Sequence, residues 1–333
     1  MTRGLSIYVT RALPEEGLLP LREAPDVLSL EVSPHDRPLT RSELESALAG
    51  RDGAIVLLTD RIDAELVARL PRLRGIGCFS VGTEHVDLAA CARAGVAVSN
   101  TPDVLTEATA DLAWALLLAA ARRLVEGDAL VRRGGFAGGW SPLFHLGLDV
   151  SGKTLGILGA GRIGTAVFRR ARGFGMRVLY ASRQEHAELD DGGARFVSRE
   201  ELLRESDYVS IHLPLDATTR HAIDARALSL MKRTAVLVNT ARGPIVDEAA
   251  LVTALRERRI AAAGLDVFER EPALAPGLAE LPNVVLAPHI GSATRETRAG
   301  MASLAARGLL SILRGERPPT WVPGSAWPPR PGE

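Results

Sequence analysis

Cysteine and lysine are scarce in this 333-residue chain, with two of each: Cys78 and Cys91, Lys153 and Lys232. Two thiols in apolar or small-residue surroundings, without CxxC or histidine-rich spacing, argue against a disulfide framework and against a zinc site, so no metal is expected. They also point to a reducing compartment, and the cytoplasm is the expected location. Two lysines leave little room for Schiff-base chemistry. Net charge is lacking as well, because 40 basic residues balance 40 acidic ones. Without a broad basic surface, neither nucleic acid nor an anionic membrane is an expected partner, and any anion must be bound locally. Long apolar runs are missing too. The stretch from Leu112 to Ala121 is apolar for only ten residues, whereas a bilayer span needs about 20, so a buried or subunit-interface helix is expected there. The first residues lack the apolar core of a signal peptide.

What is present is enough apolar material for two cores, 46% of the residues, in a chain of two-domain length. Up to residue 99, short β-branched or aliphatic runs alternate with amphipathic stretches, the pattern of parallel βαβ units. Strands are expected at 7–9, 27–32, 54–58, 74–78 and 96–99, and Thr40 with Glu43 has the spacing of a capping box. The segment NTPD at 100–103 then breaks the alternation before a long helix near Leu105. A second series follows at 154–158, 177–180, 208–212, 235–238, 262–266 and 284–287, and six such strands suit a doubly wound dinucleotide fold. A last amphipathic helix, about 294–313, has no strand after it and is expected to return to the first domain. The expected fold class is therefore α/β with two domains. A Rossmann-type doubly wound parallel sheet spans 103–291, and a flavodoxin-like discontinuous domain is made of 1–102 and 292–333. The tail from Gly315 holds six prolines with Trp321 and Trp327; it should be extended, with docking and disorder both open.

A glycine-rich loop opens the second series. Residues 158–164, LGAGRIG, follow an apolar strand and lead into a helix, the context a dinucleotide-binding loop requires. Gly159 permits a tight turn, Gly161 lets the backbone approach a pyrophosphate, and Gly164 lets helix and strand pack closely, while the helix start offers unpaired N–H groups to the anion. A plain strand-turn-helix with glycines for packing is the competing reading. Cofactor preference is decided about 20 residues further on, where a carboxylate would take the ribose 2′-hydroxyl of NAD(H). Residues 181–184, ASRQ, contain none. Ser182 can donate a hydrogen bond and Arg183 can pair a 2′-phosphate, so NADP(H) is the expected preference with NAD(H) still possible. The alternative is that Arg183 is a solvated loop arginine in an arginine-rich chain.

Three ionisable residues each sit just past a strand-like run: Arg242 in LVNTARGP (237–244), Glu271 in GLDVFEREP (264–272) and His289 in VVLAPHIG (284–291). A guanidinium can grip a carboxylate and polarise a carbonyl as an alkoxide develops. An imidazole kept protonated by a carboxylate can deliver a proton. A 2-oxo acid accepting hydride and proton needs both. Any one of the three alone would by default be part of a structural ion pair. Together with the loop they point to a nicotinamide-dependent 2-hydroxyacid dehydrogenase, in which reduction falls as His289 loses its proton.

The chain resembles the D-2-hydroxyacid dehydrogenase family, most nearly its glyoxylate/hydroxypyruvate reductase branch. The likeness covers most of the sequence and is carried by SVGTEHVD (80–87), NTPDVLT (100–106), LGAGRIG (158–164), VNTARGPIVD (238–247), GLDVFEREP (264–272) and PHIGS (288–292). It implies that His289 is the acid–base residue, Glu271 its partner and Arg242 the substrate clamp, with backbone N–H groups of Val81 and Gly82 on the substrate carboxylate. Leu57 and Leu58 are expected as apolar walls. On the cofactor side it implies Arg162 and Ile163 within the loop, Asp266 near the carboxamide, and Thr109, Pro214, Thr240 and Gly291 along the nucleotide. His85 lies beside Val81 and Gly82, where it could face the substrate, but a helix-start cap is the favoured expectation. Phe144 and His145 fall where the branch places an aromatic that reaches into a partner subunit, and the family with the apolar helix at 105–121 implies a homodimer. Glyoxylate and hydroxypyruvate are the expected 2-oxo acids. Formate, phosphite, D-lactate and phosphoglycerate oxidation stay open within the family, although the phosphite type has a lysine at the position of Val81. A nucleotide-sensing corepressor scaffold, which shares the loop and the trio, stays open as a different class.

Overall fold

A computed structural model describes residues 4–332. The chain forms two compact units, one of Met1–Leu105 with Ala293–Glu333 and the other of Thr106–Ser292.

In the first unit, β1 (Leu5–Val9), β2 (Val27–Val32), β3 (Gly53–Val56), β4 (Gly75–Cys78) and β5 (Ala97–Ser99) pair in parallel in the order β2-β1-β3-β4-β5. That is the flavodoxin-like order. Alternate side chains serve opposite faces: Ile7, Val9 and Ile55 join one cluster, Tyr8, Ala54, Val56 and Ile76 the other. The first cluster is completed by the helix Arg295–Leu313, whose Ala305, Leu309 and Leu313 come from the far end of the sequence. The return of this helix explains a glycine. A Cβ on Gly77 would lie 2.8 Å from the Ala305 carbonyl oxygen, so the helix presses directly on β4. The capping box at Thr40 and Glu43 is formed in both directions.

The proline-rich tail is docked on this unit. Val322 N–H donates to Val98 O at 2.8 Å, Val98 N–H to Ser325 Oγ at 3.1 Å and Ala326 N–H to Val96 O at 3.1 Å, so the tail lies along β5. Arg330 reaches the carbonyls of Leu73 and Leu70, and Arg317 stacks 4.0 Å from the Trp321 ring centre. Proline content permitted an extended chain; the exposed edge of β5 gives it polar partners.

In the second unit, β6 (Thr154–Leu158), β7 (Arg177–Ala181), β8 (Arg195–Phe196), β9 (Tyr208–Ile211), β10 (Val236–Asn239), β11 (Ala262–Leu265) and β12 (Val284–Leu286) form one parallel sheet ordered β12-β11-β10-β9-β6-β7-β8. Strand order reverses between β6 and β9, the switch point of a doubly wound fold. The sheet has seven strands rather than six, because β8 is two exposed residues with no apolar run to announce it. The helix Thr106–Ala121 is a core element of its own unit. Its Trp114 stacks on Phe174 at 4.6 Å and donates to Val167 O at 3.2 Å, and a Cβ on Gly264 in β11 would meet Leu116 at 2.9 Å. A run of exposed apolar side chains lies further on, from Leu124 to Leu146, around the helix Leu124–Arg132. Among the described residues no helix is long and apolar enough to cross a membrane.

Candidate active site

Parallel sheets bind ligands at the carboxyl ends of their strands, and most of the site candidates in the second unit lie there. Gly159 follows β6, Ser182 and Arg183 follow β7, Pro214 follows β9, Thr240 and Arg242 follow β10, Asp266 and Glu271 follow β11, and His289 follows β12.

His289 sits in the left-handed region, φ +54°, a conformation that non-glycine residues adopt sparingly. Asp266 holds it there. The buried carboxylate of Asp266 accepts the N–H groups of Ile290 at 2.7 Å and Gly291 at 2.8 Å, and its carbonyl accepts His289 N–H at 2.9 Å. Burial pushes the Asp266 carboxyl up, against the pull of those N–H groups and of the His289 charge. A Cβ on Gly291 would lie 3.1 Å from Asp266 Oδ2 and 3.4 Å from Thr109 Cγ2, which puts Thr109, Asp266 and Gly291 side by side.

Glu271 Oε2 is 2.8 Å from His289 Nδ1, and its Oε1 accepts Phe268 N–H at 3.0 Å. Burial would raise the Glu271 carboxyl, but the bond to His289, the His289 charge, the Phe268 N–H and the Arg242 guanidinium outweigh it and hold it below the ordinary carboxylate range. With Nδ1 on the carboxylate, Nε2 is the nitrogen left for proton transfer. Arg242 is framed by the Asn239 side chain, which accepts Ala241 N–H at 3.0 Å and donates to Arg242 O at 3.0 Å. The next residue must be glycine, since a Cβ on Gly243 would sit 1.9 Å from the Phe268 backbone. His212 bonds Ser210 Oγ at 2.8 Å, and burial pushes its imidazole down to about 3. It is therefore neutral near pH 7 and is no second proton donor.

The glycine loop divides by mechanical role. Gly159 has φ +97°, and a Cβ there would lie 2.6 Å from His212 O; a Cβ on Gly164 would lie 2.1 Å from Gly159 O. Around Gly161 a Cβ would meet nothing within 4 Å. Two glycines are thus required by packing and the third faces open space, at the start of a helix, Arg162–Ala171, that no side chain caps.

Residues 114–291 match the family described as D-isomer specific 2-hydroxyacid dehydrogenase, NAD binding domain. A glyoxylate reductase from Thermococcus kodakarensis is 51% identical over 322 residues, 95% of each chain. The chain belongs to the D-isomer-specific 2-hydroxyacid dehydrogenase family. Among solved relatives, a glyoxylate reductase from Paecilomyes thermophila is 35% identical with a TM-score of 0.85, covering 97% of this chain and 99% of its own. An NADPH-dependent glyoxylate/hydroxypyruvate reductase from Sinorhizobium meliloti, in complex with NADP and malonate, is 32% identical with a TM-score of 0.83 over all of both chains. The dehydrogenase described here is accordingly an oxidoreductase that uses a nicotinamide cofactor, which sets aside the corepressor reading.

The cofactor side of this dehydrogenase fits such a dinucleotide. Open space at Gly161, the uncapped helix start and the buried Thr240 hydroxyl, which has no partner among the described residues, are what a bound pyrophosphate and ribose would use. Arg162 is exposed and Ile163 half-buried at that helix start. The Ser182 hydroxyl donates to Gln184 O within the turn, and Arg183 is exposed. Pro214 O accepts the Thr219 hydroxyl at 2.6 Å.

In the first unit, Leu57 follows β3 and is half-buried, its N–H on Asp60 Oδ2 at 2.8 Å, while Leu58 is exposed. Val81 and Gly82 follow β4. His85 does not cap the helix Leu88–Arg93; Asp87 does, accepting Ala90 N–H at 2.8 Å, because its short carboxylate is adjacent to the first turn.

One residue that shapes the loop carrying Glu271 escaped the sequence. Glu248, buried at the start of the helix Glu248–Arg256, accepts Glu269 N–H at 2.7 Å and Ala275 N–H at 3.3 Å. It staples both ends of the loop that carries Glu271. Burial raises its carboxyl against those bonds. The partners of Glu248 are backbone groups more than twenty residues away, and nothing in the local pattern VDEAAL reveals them.

Proposed function

We propose that this dehydrogenase reduces glyoxylate and hydroxypyruvate to their 2-hydroxy acids with NADPH as the preferred cofactor. The observation that carries the reading is the His289–Glu271 hydrogen bond of 2.8 Å, with the Arg242 charge acting on the same carboxylate. In the second unit Arg242 bonds the substrate carboxylate and carbonyl oxygen; in the first, the N–H groups of Val81 and Gly82 are the proposed donors to a substrate carboxylate. When bound, the reduced nicotinamide supplies the hydride. His289 Nε2 gives its proton to the oxygen as negative charge develops there, and Glu271 orients and stabilises the imidazolium. One hydroxymethyl group in a small pocket is worth roughly 1–3 kcal/mol, so both acids turn over.

NADPH preference rests on Ser182 and Arg183 and on the missing carboxylate at 181–184, and the NADPH-dependent relative solved with NADP supports it. A homodimer is part of the same reading. Trp140 and Leu143 are each 81% exposed in a segment with Phe136, Phe144 and Leu146. Beside them lies a cavity of about 670 Å³ lined by Ala120, Val125, Leu148, Pro282 and Val284. The cavity is also lined by Arg123, Glu126, Arg133, Arg233 and Arg258; the exposed aromatic and aliphatic side chains gathered in one segment are what support a protein contact there.

Steady-state reduction of each acid with NADPH and with NADH tests the proposal. NADPH is expected to exceed NADH in kcat/KM by at least about tenfold, and Arg183→Ala to erase most of that margin. A preference for NADH would overturn the phosphate site, and no turnover of either acid would overturn the substrate assignment.

A further inference from the structure

The loop after β4 has three consecutive carbonyls occupied, those of Ser80, Val81 and Gly82. Thr101 N–H donates to Ser80 O at 2.9 Å, the Asn100 side-chain amide donates to Val81 O at 2.8 Å, and the Ser80 hydroxyl donates to Gly82 O at 2.7 Å. In a trans peptide the C=O and the following N–H point in opposite directions. Fixing three consecutive carbonyls therefore fixes the N–H groups of Val81, Gly82 and Thr83. Among the described residues, none of these three N–H groups has a protein acceptor. Successive free N–H groups of this kind form a concavity suited to an anion.

The middle peptide is the vulnerable one. Gly82 has no Cβ, so a half-turn of the Val81–Gly82 peptide meets no steric penalty at Gly82. That turn would present a carbonyl oxygen where an N–H had been. Among the described residues, only the Asn100 side chain holds Val81 O, and it reaches across from the end of β5. Asn100 is itself anchored by its backbone, whose N–H donates to Thr320 O of the docked tail at 3.1 Å.

We propose that Asn100 is a positioning residue for substrate: its amide sets the Val81–Gly82 peptide so that Gly82 N–H faces the carboxylate of the 2-oxo acid. This rests on the proposed role of Val81 and Gly82 in binding that carboxylate. Asn100 touches no reacting atom and acts through the peptide alone. Its loss removes binding made equally in ground and transition states, so KM rises and kcat holds. A carboxylate substrate feels the change, and an uncharged analogue with the same aldehyde does not.

The test compares wild type, Asn100→Ala and the isosteric Asn100→Asp with NADPH, using glyoxylate and its neutral methyl ester. Both variants keep the backbone bond to Thr320, and KM for NADPH reports that the cofactor site is intact. The expected result is a KM for glyoxylate raised roughly 10- to 100-fold in both variants, with kcat and KM for NADPH unchanged and the ester nearly unaffected. An unchanged KM for glyoxylate in Asn100→Ala, or equal losses for acid and ester, would overturn the role of Asn100 and leave the reductase reading standing. A wild type that reduces no 2-oxo acid would instead overturn the reductase reading, and this inference with it.

Discussion

Glu271 stays ionised although partly buried, because His289, Phe268 N–H and Arg242 all favour its charged form. Its carboxyl lies below the ordinary value of 4.5, so the pair with His289 is fully present above that value and is lost only as pH falls through the lower folded one. Reduction is therefore expected to keep its rate down to pH 4.5 and to fall only below it. Glu271→Gln should lower kcat by roughly 10²-fold while KM for NADPH is retained, and kcat measured against pH checks both. An acid limb near pH 6 would contradict the low carboxyl. At this scale the sequence was informative where chemistry depends on residue type: an arginine, a glutamate and a histidine placed after successive strands have few other joint uses. It was silent on Asp266 as the clamp of the His289 backbone, and on Glu248 and Asn100. Those side chains bond main-chain groups, and which main-chain groups are near is decided by tertiary structure.

Loops are where this site is built, and the one from Asp266 to Ala275 depends on a helix that contributes no catalytic group. Glu248→Ala would leave the N–H groups of Glu269 and Ala275 without their carboxylate, a loss of about 1–3 kcal/mol. The expected outcome is a lower thermal midpoint together with a reduced kcat, since Glu271 loses its fixed distance to His289, while cofactor affinity persists. Calorimetry and steady-state kinetics on the one variant measure both, and a wild-type kcat would show that the loop holds its shape without the staple. Most strands were legible as apolar runs, because strands of parallel sheets are buried on both faces. β8 was not, having two exposed residues and a single neighbour, β7. The tail was legible as extended but not as docked, since its partners are the carbonyls and N–H groups of β5.

For the whole molecule, the sequence left the long apolar helix as either a buried or a subunit-interface element, and the structure packs it in the core of its own unit. Apolar content alone does not distinguish a core helix from an interface helix. The exposed aromatic segment around Trp140 takes its place as the proposed contact. Wild type is expected to sediment as a dimer, and a double variant, Trp140→Glu with Leu143→Glu, as a monomer; a monomeric wild type at micromolar concentration would remove the proposed contact. The discontinuous first unit has a further consequence, for synthesis. When Leu105 leaves the ribosome, the face of β3 and β4 that will receive Leu309 and Leu313 has no cover, and its cover is encoded beyond residue 292. At about 5–20 residues per second the nascent sheet waits roughly 10–40 s for its last helix, while the entire second unit is translated and free to fold. The half of the enzyme that begins first finishes last, and during that interval its apolar face is open to chaperones.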